Sequence, residues 1–191
     1  RTVMDMVKGT DIELPVLLAM WLSFSASEIR GLTKSKSING EYITIRETVI
    51  TVRGESIRKD PAKNNTRKRR HKIPKYIKQL IDQVPGDVLV PLTDNALHHR
   101  WTRLQMRNGI KDPMTFHDLR HLSASVMALL RIPDKYAQER GGWKTDAVMK
   151  NVYMQTFPEA RQKVDATIDN FFEGIINGSE GEKNELQDLI N

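Results

Sequence analysis

One short stretch of alternating residues decides the fold class of this chain, because the patterns on either side of it are helical. Residues 41–53 read EYITIRETVITVR, in which β-branched side chains alternate with polar ones. This period of two predicts two short strands with a turn near Arg46 and Glu47, and a third strand is expected over 70–74. We therefore predict an α+β fold that is mostly helical and carries a small antiparallel three-stranded sheet.

Helical patterns fill most of the remaining chain. The apolar segment Leu14–Phe24 predicts a buried helix that follows an exposed start at Asp11 and Glu13. The residues SASE, which begin at Ser25, have the form of a capping box and predict a short second helix that stops near Gly31. Further helices are predicted over 76–83, 94–108, 115–130, 133–140, 145–155 and 160–176. Gly109 is expected to end the second of these and Pro133 to lie in the first turn of the fourth.

Length and composition exclude several classes of protein. With 191 residues and 39% hydrophobic side chains, the chain can bury the core of one domain and lacks the composition of a disordered protein. The absence of cysteine excludes a disulfide scaffold, a thiolate zinc site and a cysteine nucleophile. No apolar run approaches the roughly 20 residues that a membrane span needs, so no membrane partner is expected.

The positive charge of the chain is concentrated in one segment. The net charge is +6, yet the segment Arg58–Lys75 holds nine of the 30 lysines and arginines and only one acidic residue, Asp60. A run of this kind forms a solvated loop, a targeting signal or a surface that meets polyanions. Composition favours the polyanion, and the flanking strand patterns place the run on a β-hairpin.

Two side chains three positions apart are the first candidates for chemistry. His117 and Arg120 fall on one face of a predicted helix about one turn apart, where both can donate to an oxyanion or a phosphate. Taken alone, this spacing is a weak indication, because it arises by chance and in structural pairs. The neighbouring His121 is interpreted as a packing or surface residue.

The pair is part of a longer ordered set of candidate residues. The candidate residues follow the chain order His117, Arg120, Trp143 and Tyr153. This order, together with the segment TFHDLRH at 115–121 and the two glycines before the tryptophan, resembles the catalytic domain of the tyrosine recombinases, the phage-type integrases. The resemblance extends over 14–157. It implies site-specific DNA recombination that integrates or excises a phage or another mobile element.

The resemblance also implies a domain organisation. One catalytic domain is expected over 1–177, followed by a tail over 178–191. This tail is a candidate for docking onto a neighbouring protomer, and a frayed end is an equally good interpretation. Family members carry DNA-binding domains ahead of the catalytic one, and the 13 residues before Leu14 are too few to hold them. We therefore expect this chain to be the catalytic part of a longer recombinase.

The resemblance assigns a role in the reaction to each candidate. Tyr153 would attack the DNA phosphate, forming a 3′-phosphotyrosine and a free 5′ hydroxyl. Arg120 would bind a non-bridging oxygen of this phosphate, while His117 bonds the same group and assists proton transfer. Trp143 would donate its indole N–H. Because the covalent link keeps the bond energy, neither a metal nor any other cofactor is expected.

The basic run receives two roles from the resemblance. Family members carry a lysine on the turn of a β-hairpin, which acts as general acid to the 5′ oxygen, and Lys63 is the best match. Lys59 and Lys68 stay open as alternatives because the length of this turn varies. The remaining bases are interpreted as phosphate contacts, which fix affinity and register rather than sequence. They are Arg67, Lys68, Arg69, Arg70 and Lys72.

The chain departs from the family at one catalytic position. The first arginine of the family lies in a Gly-Leu-Arg-x-Ser-Glu pattern, and the matching residues 23–28 read SFSASE, which aligns Ser25 with that arginine. Arg30 is turned away by about 140° on a helix of 3.6 residues per turn, and it is interpreted as a surface residue at a helix end. Either another base supplies the charge or strand cleavage is weakened. In the second case, Ser25→Arg is expected to raise cleavage.

Three functions therefore compete. The leading one is the recombinase, acting on double-stranded attachment sites as four protomers, with accessory DNA-bending or excision factors as further candidate partners. It would work in the cytoplasm of a bacterial host, associated with the nucleoid. The second is a recombinase-derived DNA-binding protein with weakened catalysis, which Ser25 motivates. A type IB topoisomerase shares the chemistry, and the small size of the chain argues against it.

Overall fold

A computed structural model describes residues 3–60, 69–143 and 169–170. The chain divides into two compact units, 1–150 and 151–191, and the elements named below belong to the first. In chain order they are α1 (Val3–Val7), α2 (Glu13–Leu22), α3 (Ala26–Gly31), α4 (Lys34–Ser37), β1 (Ile38–Asn39), β2 (Tyr42–Thr44), β3 (Thr48–Val52), β4 (Glu55–Lys59), β5 (Arg70–Lys72), α5 (Lys75–Gln83), α6 (Asp94–Arg107), α7 (Asp118–Leu129) and α8 (Asp134–Gly141).

The predicted fold class is confirmed, with helices as the main elements and small antiparallel sheets. A three-stranded sheet has the order β1-β2-β5, in which Ile43 of β2 faces Ile38 of β1 and His71 of β5. Strands β3 and β4 form a second sheet of two strands. The two strands predicted from the alternating segment therefore lie in different sheets.

The arrangement of β4 corrects the expected basic hairpin. Strand β4 was not predicted from the sequence, because its residues ESIRK are all exposed and charged enough to look like a loop. It pairs with β3, whereas β5 pairs with β2. The strands on either side of the basic run consequently do not pair with each other within the described residues. The segment 61–68 connects two different sheets.

The hydrophobic core forms around α2 and brings the later helices onto it. Apolar side chains cover most of α2, and Leu17, Leu18 and Leu22 are fully buried because α3, α5 and α7 pack around this helix. The expectation that Glu13 is exposed was wrong. Its carboxylate is buried and accepts hydrogen bonds from the Tyr76 hydroxyl at 2.5 Å and from a backbone N–H at 2.7 Å, which compensates for its desolvation.

Helix α3 begins with the predicted capping box. The Ser25 hydroxyl accepts the backbone N–H of Glu28, and the Glu28 carboxylate accepts the backbone N–H of Ser25 at 2.8 Å. The helix ends at Gly31, where a Cβ would lie 2.1 Å from the carbonyl oxygen of Glu47. Only glycine allows this approach between α3 and the start of β3.

The C-terminal helices match their sequence patterns up to residue 143. Helices α5, α6, α7 and α8 begin and end within a few residues of the expected bounds, and α8 follows Pro133 as predicted. The helices expected over 145–155 and 160–176 lie outside the described residues, apart from Asp169 and Asn170, which are helical. Among the described helices, none is long and apolar enough to cross a membrane.

Candidate active site

A buried carboxylate lies at the centre of the candidate site. Glu28 is only 3% exposed, and its Oε2 atom accepts two hydrogen bonds and forms an ion pair with a third N–H group. The backbone N–H of Ser25 lies at 2.8 Å, Nη2 of Arg69 at 2.9 Å and Nη1 of Arg120 at 3.5 Å. The carboxylate that caps α3 therefore also contacts two guanidinium groups, one from the residue before β5 and the other from α7.

Arg120 is fixed on its other side by the turn that follows α8. Its Nη2 atom donates to the carbonyl oxygen of Gly141 at 2.7 Å, and its guanidinium lies 5.4 Å from the ring centroid of Trp143. A Cβ at Gly141 would lie 2.0 Å from the Trp143 ring, so the glycine makes room for the indole. The structure therefore brings two residues expected in the site, Arg120 and Trp143, into contact.

His117 lies at the start of α7, one turn before Arg120. Its ring is exposed and meets the ring of His121 edge to face, with centroids 4.8 Å apart. The pKa of His117 is below its ordinary value because partial burial removes water from the ring and because His121 and Arg120 lie nearby. A neutral imidazole offers one donor and one acceptor, which suits hydrogen bonding and proton transfer at neutral pH.

Arg69 has surroundings that the sequence interpretation did not anticipate. We expected an exposed phosphate contact, and the structure places this residue in the interior, 5% exposed. Its Nη2 atom donates to Glu28 and, at 3.3 Å, to the carbonyl oxygen of Ser23. Within the described residues, its Nε and Nη1 atoms have no hydrogen-bond partner. A Cβ at Gly142 would lie 2.0 Å from Nη1, so this glycine is what lets the guanidinium fit.

A basic cavity of about 660 Å³ opens beside Arg69. It lies between β5, α8 and the turn that carries Trp143. Four cationic side chains and one carboxylate, Glu139, line it. The cations are Arg69, Arg70, Lys135 and Arg140. This excess of positive charge in a concave surface favours an anionic ligand.

A buried histidine also faces this cavity. The His71 ring packs edge to face on Phe24, with centroids 5.2 Å apart, and its Nε2 atom has no partner among the described residues. Burial, and after it the charges of Arg140 and Arg69, lowers the pKa of His71 to about 3. The ring is therefore neutral at physiological pH, and it adds a polar atom without adding charge.

The remaining predicted residues fall into two groups. Arg70 and Lys72 are exposed on β5, where Arg70 lies over the Tyr42 ring at 3.7 Å and Lys72 pairs with a glutamate at 3.2 Å. The others lie outside the described residues, and their roles stay predictions. They are Lys63, Arg67, Lys68 and Tyr153.

Arg30 was wrongly interpreted as a surface residue. It is 4% exposed and donates to the carbonyl oxygens of Leu92 and Val49 and to the hydroxyls of Thr51 and Ser56, at 3.0 to 3.4 Å. These bonds join α3 to the β3-β4 sheet and to the segment before α6. Burial was missed because a residue at the end of a short helix is usually solvated.

No potential metal site is found in the described ranges, where no three side chains among His, Asp and Glu cluster as ligands would. The polar groups of the site are instead guanidinium donors, together with an imidazole. Donors of this kind bind anions through hydrogen bonds and charge.

Small antiparallel sheets among helices, with two guanidinium groups on one buried carboxylate, define an α+β protein with a cationic site. Comparison with protein families then shows the family to which the chain belongs. The model of the phage integrase family matches residues 26–160, and the chain belongs to this family of tyrosine recombinases.

Solved structures share the fold. The integrase of the Tn1549 transposon, in complex with a circular intermediate DNA, superposes with a TM-score of 0.67 at 16% identity, covering 86% of this chain and 62% of that one. The lambda integrase dimer bound to a COC′ core site superposes with a TM-score of 0.57 at 21% identity, covering 78% of this chain and 54% of that one. XerA recombinase superposes with a TM-score of 0.59 at 14% identity, covering 83% of this chain and 60% of that one.

A curated relative supports the same family. The protein named "Integrase" from Saccharopolyspora erythraea is 30% identical over 74 residues, which is 39% of this chain and 16% of the relative. The chain thus spans less than two thirds of each relative described here. The comparisons confirm the family and the fold predicted from the sequence.

Proposed function

We propose that this chain is the catalytic part of a site-specific recombinase that integrates or excises a phage or another mobile element. The observation that carries the proposal is the position of Arg120, which Glu28, the Gly141 carbonyl and the Trp143 ring hold in place. The same tryptophan lines the basic cavity. A guanidinium fixed on several sides is preorganised for a phosphate, because its planar fork matches two phosphate oxygens.

The proposed reaction is a transesterification at a DNA phosphate. The phenol oxygen of Tyr153 attacks phosphorus, and the bond from phosphorus to the 5′ oxygen breaks. The phenol proton passes to a base, and the leaving oxygen takes a proton from Lys63, with Lys59 and Lys68 as alternatives. The product is a 3′-phosphotyrosine with a free 5′ hydroxyl, which attacks the partner strand in the reverse sense. Because a phenol has a pKa of about 10, surrounding cations must stabilise the phenolate that develops.

The described residues supply the electrostatic part of this reaction. Arg120 neutralises a non-bridging oxygen as negative charge builds on phosphorus, and Glu28 keeps its guanidinium in position. His117, with its lowered pKa, bonds the same phosphate as a neutral ring and accepts or returns a proton. Trp143 covers Arg120 and offers its indole N–H.

The partner in this proposal is double-stranded DNA carrying the attachment sites. The exposed bases Arg70 and Lys72, with Arg67 and Lys68, would contact neighbouring phosphates and make binding depend steeply on salt. The solved relatives include a lambda integrase dimer on a core site and a transposon integrase on a circular intermediate. For this chain we propose four protomers on paired sites, in the bacterial cytoplasm with the nucleoid, with accessory DNA-bending or excision factors as further partners.

The test is capture of the covalent intermediate. Full-length protein is incubated in EDTA with a nicked suicide substrate that carries the junction sequence of its own element. We expect a protein–DNA adduct that Tyr153→Phe abolishes and that Tyr42→Phe keeps, since Tyr42 is an exposed tyrosine on β2 and this change retains the ring that contacts Arg70. If no adduct forms with or without magnesium, or if the adduct still forms with Tyr153→Phe, the proposed reaction is wrong. If the adduct forms only when magnesium is present, the reaction is not independent of metal.

A second function is favoured by one observation, the serine at position 25. If Ser25 leaves the phosphate with too little positive charge, the chain would bind attachment sites without cutting them. Binding that is selective for the attachment site, with no adduct from the full-length protein, would support this recombinase-derived DNA-binding protein.

A further inference from the structure

We propose that Arg69 is the second guanidinium on the scissile phosphate and supplies the charge that is missing at Ser25. This inference rests on the proposed recombinase function and deepens it at the same site. It replaces the interpretation of Arg69 as one of several exposed DNA contacts, which its burial does not support.

The first step of the argument is position. The backbone N–H of Ser25 and Nη2 of Arg69 both donate to Oε2 of Glu28, at 2.8 and 2.9 Å. Arg120 contacts the same oxygen atom at 3.5 Å. The guanidinium of Arg69 therefore lies next to Arg120 and next to residue 25, although it comes from the segment before β5.

The second step is the state of its donors. Two of the three guanidinium nitrogens of Arg69, Nε and Nη1, are buried and have no partner among the described residues. A buried donor without a partner is costly, and a guanidinium has five N–H groups to satisfy. Since Arg69 also lines the basic cavity, a phosphate that enters there would lie beside this guanidinium and would offer the acceptors that Nε and Nη1 lack.

The third step is charge. Arg69 and Arg120 both pair with the buried carboxylate of Glu28, so two guanidinium groups concentrate positive charge at one point. Positive charge in a concave, partly desolvated place attracts an anion. A phosphodiester, with one negative charge, is an anion of this kind.

The fourth step concerns the alternative arginine. Arg30, on α3, is also buried, but each of its three nitrogens already donates to the protein. Its partners lie on β3, on β4 and in the segment before α6. Four of its five N–H groups are used, and its charge is paired with the Asp94 carboxylate at 3.6 Å, which leaves Arg69 as the replacement.

The experiment compares cleavage of two suicide substrates, one with an ordinary scissile phosphate and one with a neutral methylphosphonate there. On the phosphate, Arg69→Ala should cleave about 10² to 10³ times more slowly than the wild-type protein, and Arg69→Lys should fall between them. On the methylphosphonate, which lacks the charge, the difference should shrink to about tenfold or less. Arg103→Ala, an exposed arginine on α6, is the matched control and should match the wild type on both.

The outcomes separate this inference from the proposed function. Equal slowing of Arg69→Ala on both substrates would mean that the residue only supports the fold, and no slowing would mean that it plays no part. Either result overturns the inference about Arg69. The proposed recombinase function still stands if the wild-type protein forms the covalent adduct.

Binding of inorganic phosphate decides the question without catalysis. At constant ionic strength, phosphate in place of chloride should raise the Tm of the wild type and of Arg103→Ala, but not that of Arg69→Ala. An equal rise in all three proteins would overturn the inference, even if the wild type formed no adduct.

Discussion

Arg30 projects from α3 and Arg69 bonds to Glu28 of the same helix, and the two guanidinium groups have opposite hydrogen-bonding patterns. Both side chains are about 95% buried. Every nitrogen of Arg30 donates to a carbonyl or hydroxyl oxygen of the protein, whereas only Nη2 of Arg69 does so within the described residues. Arg30 connects elements of the fold, and Arg69 keeps donors for a ligand.

The comparison teaches that burial alone does not identify the role of a cation. A buried guanidinium whose donors are all used is a structural link, and its removal leaves orphaned acceptors. A buried guanidinium with spare donors beside a second cation is poised for an anion. Changes on the Arg30 side of α3 should therefore affect stability, and changes on the Arg69 side should affect cleavage.

The largest expected effect on stability is that of Arg30→Met. Loss of the guanidinium leaves the buried carbonyl of Val49 without this donor, and we expect the free energy of unfolding to fall by about 3 kcal/mol. Urea unfolding measures this change. Cleavage per folded molecule should stay within about twofold of the wild type, since the Arg30 guanidinium is bonded within the fold and paired with Asp94. A loss of cleavage as large as that of Arg69→Ala would break the comparison.

Gly142→Ala tests the packing that seats Arg69. The new Cβ would lie 2.0 Å from Nη1 of Arg69, and the residue has a φ of +65°. We expect a loss of about 2 kcal/mol in stability together with slower cleavage, because the guanidinium must move. Gly109→Ala is the matched control, with a φ of +82° and nothing within 4 Å. It should cost about 1 kcal/mol and leave cleavage unchanged; slowing in the control would refute the explanation.

His71 should make the Arg69 side of the molecule sensitive to acid. Its pKa is about 3 in the folded protein, against 6.5 for the ordinary group, so between these values the unfolded chain binds more protons. Its contribution to stability is full above pH 6.5 and is lost progressively as the pH falls toward 3, by up to about 1.4 kcal/mol per pH unit. Urea titrations should show this slope reduced in His71→Leu and kept in the exposed control His99→Gln. An equal dependence of the unfolding free energy on pH in the wild type and both variants would contradict this role of His71.

The smallest expected effect is that of Ser25→Ala. This change removes the hydroxyl that caps α3 and should lower the free energy of unfolding by about 1 kcal/mol. Cleavage should hardly change, since the backbone N–H of residue 25, which holds Glu28, remains. The neighbouring Ser27→Ala serves as the control and should cost less. If Ser25→Ala slowed cleavage strongly, the hydroxyl itself would contact the phosphate.

Local rules predicted much of this structure. The capping box at Ser25, the glycine that ends α6 and the helix after Pro133 follow from side chains that act on their own neighbours. His117 and Arg120 were singled out by helical spacing. Only the family resemblance connected them with Trp143, because Arg120 lies on α7 and Trp143 follows α8.

The incorrect predictions involve contacts between distant residues. Strand β4 forms because β3 offers it a partner, although its own residues look like a charged loop. Arg69 and Arg30 were both interpreted as exposed, as single arginines usually are, and each is buried by acceptors distant in the sequence. A partial signal did exist. Glycines in sequence before a tryptophan indicate close packing, and Gly142 receives Arg69.

The most direct test of the central claim is an exchange of the two positions. Cleavage rates are compared for Ser25→Arg, Arg69→Ser and the double variant. If Arg69 already supplies the second guanidinium, Ser25→Arg alone should bring no gain, whereas in the Arg69→Ser background it should raise cleavage by about tenfold or more. The same acceleration in both backgrounds would contradict the claim, because the charge at the phosphate would then be missing with Arg69 in place.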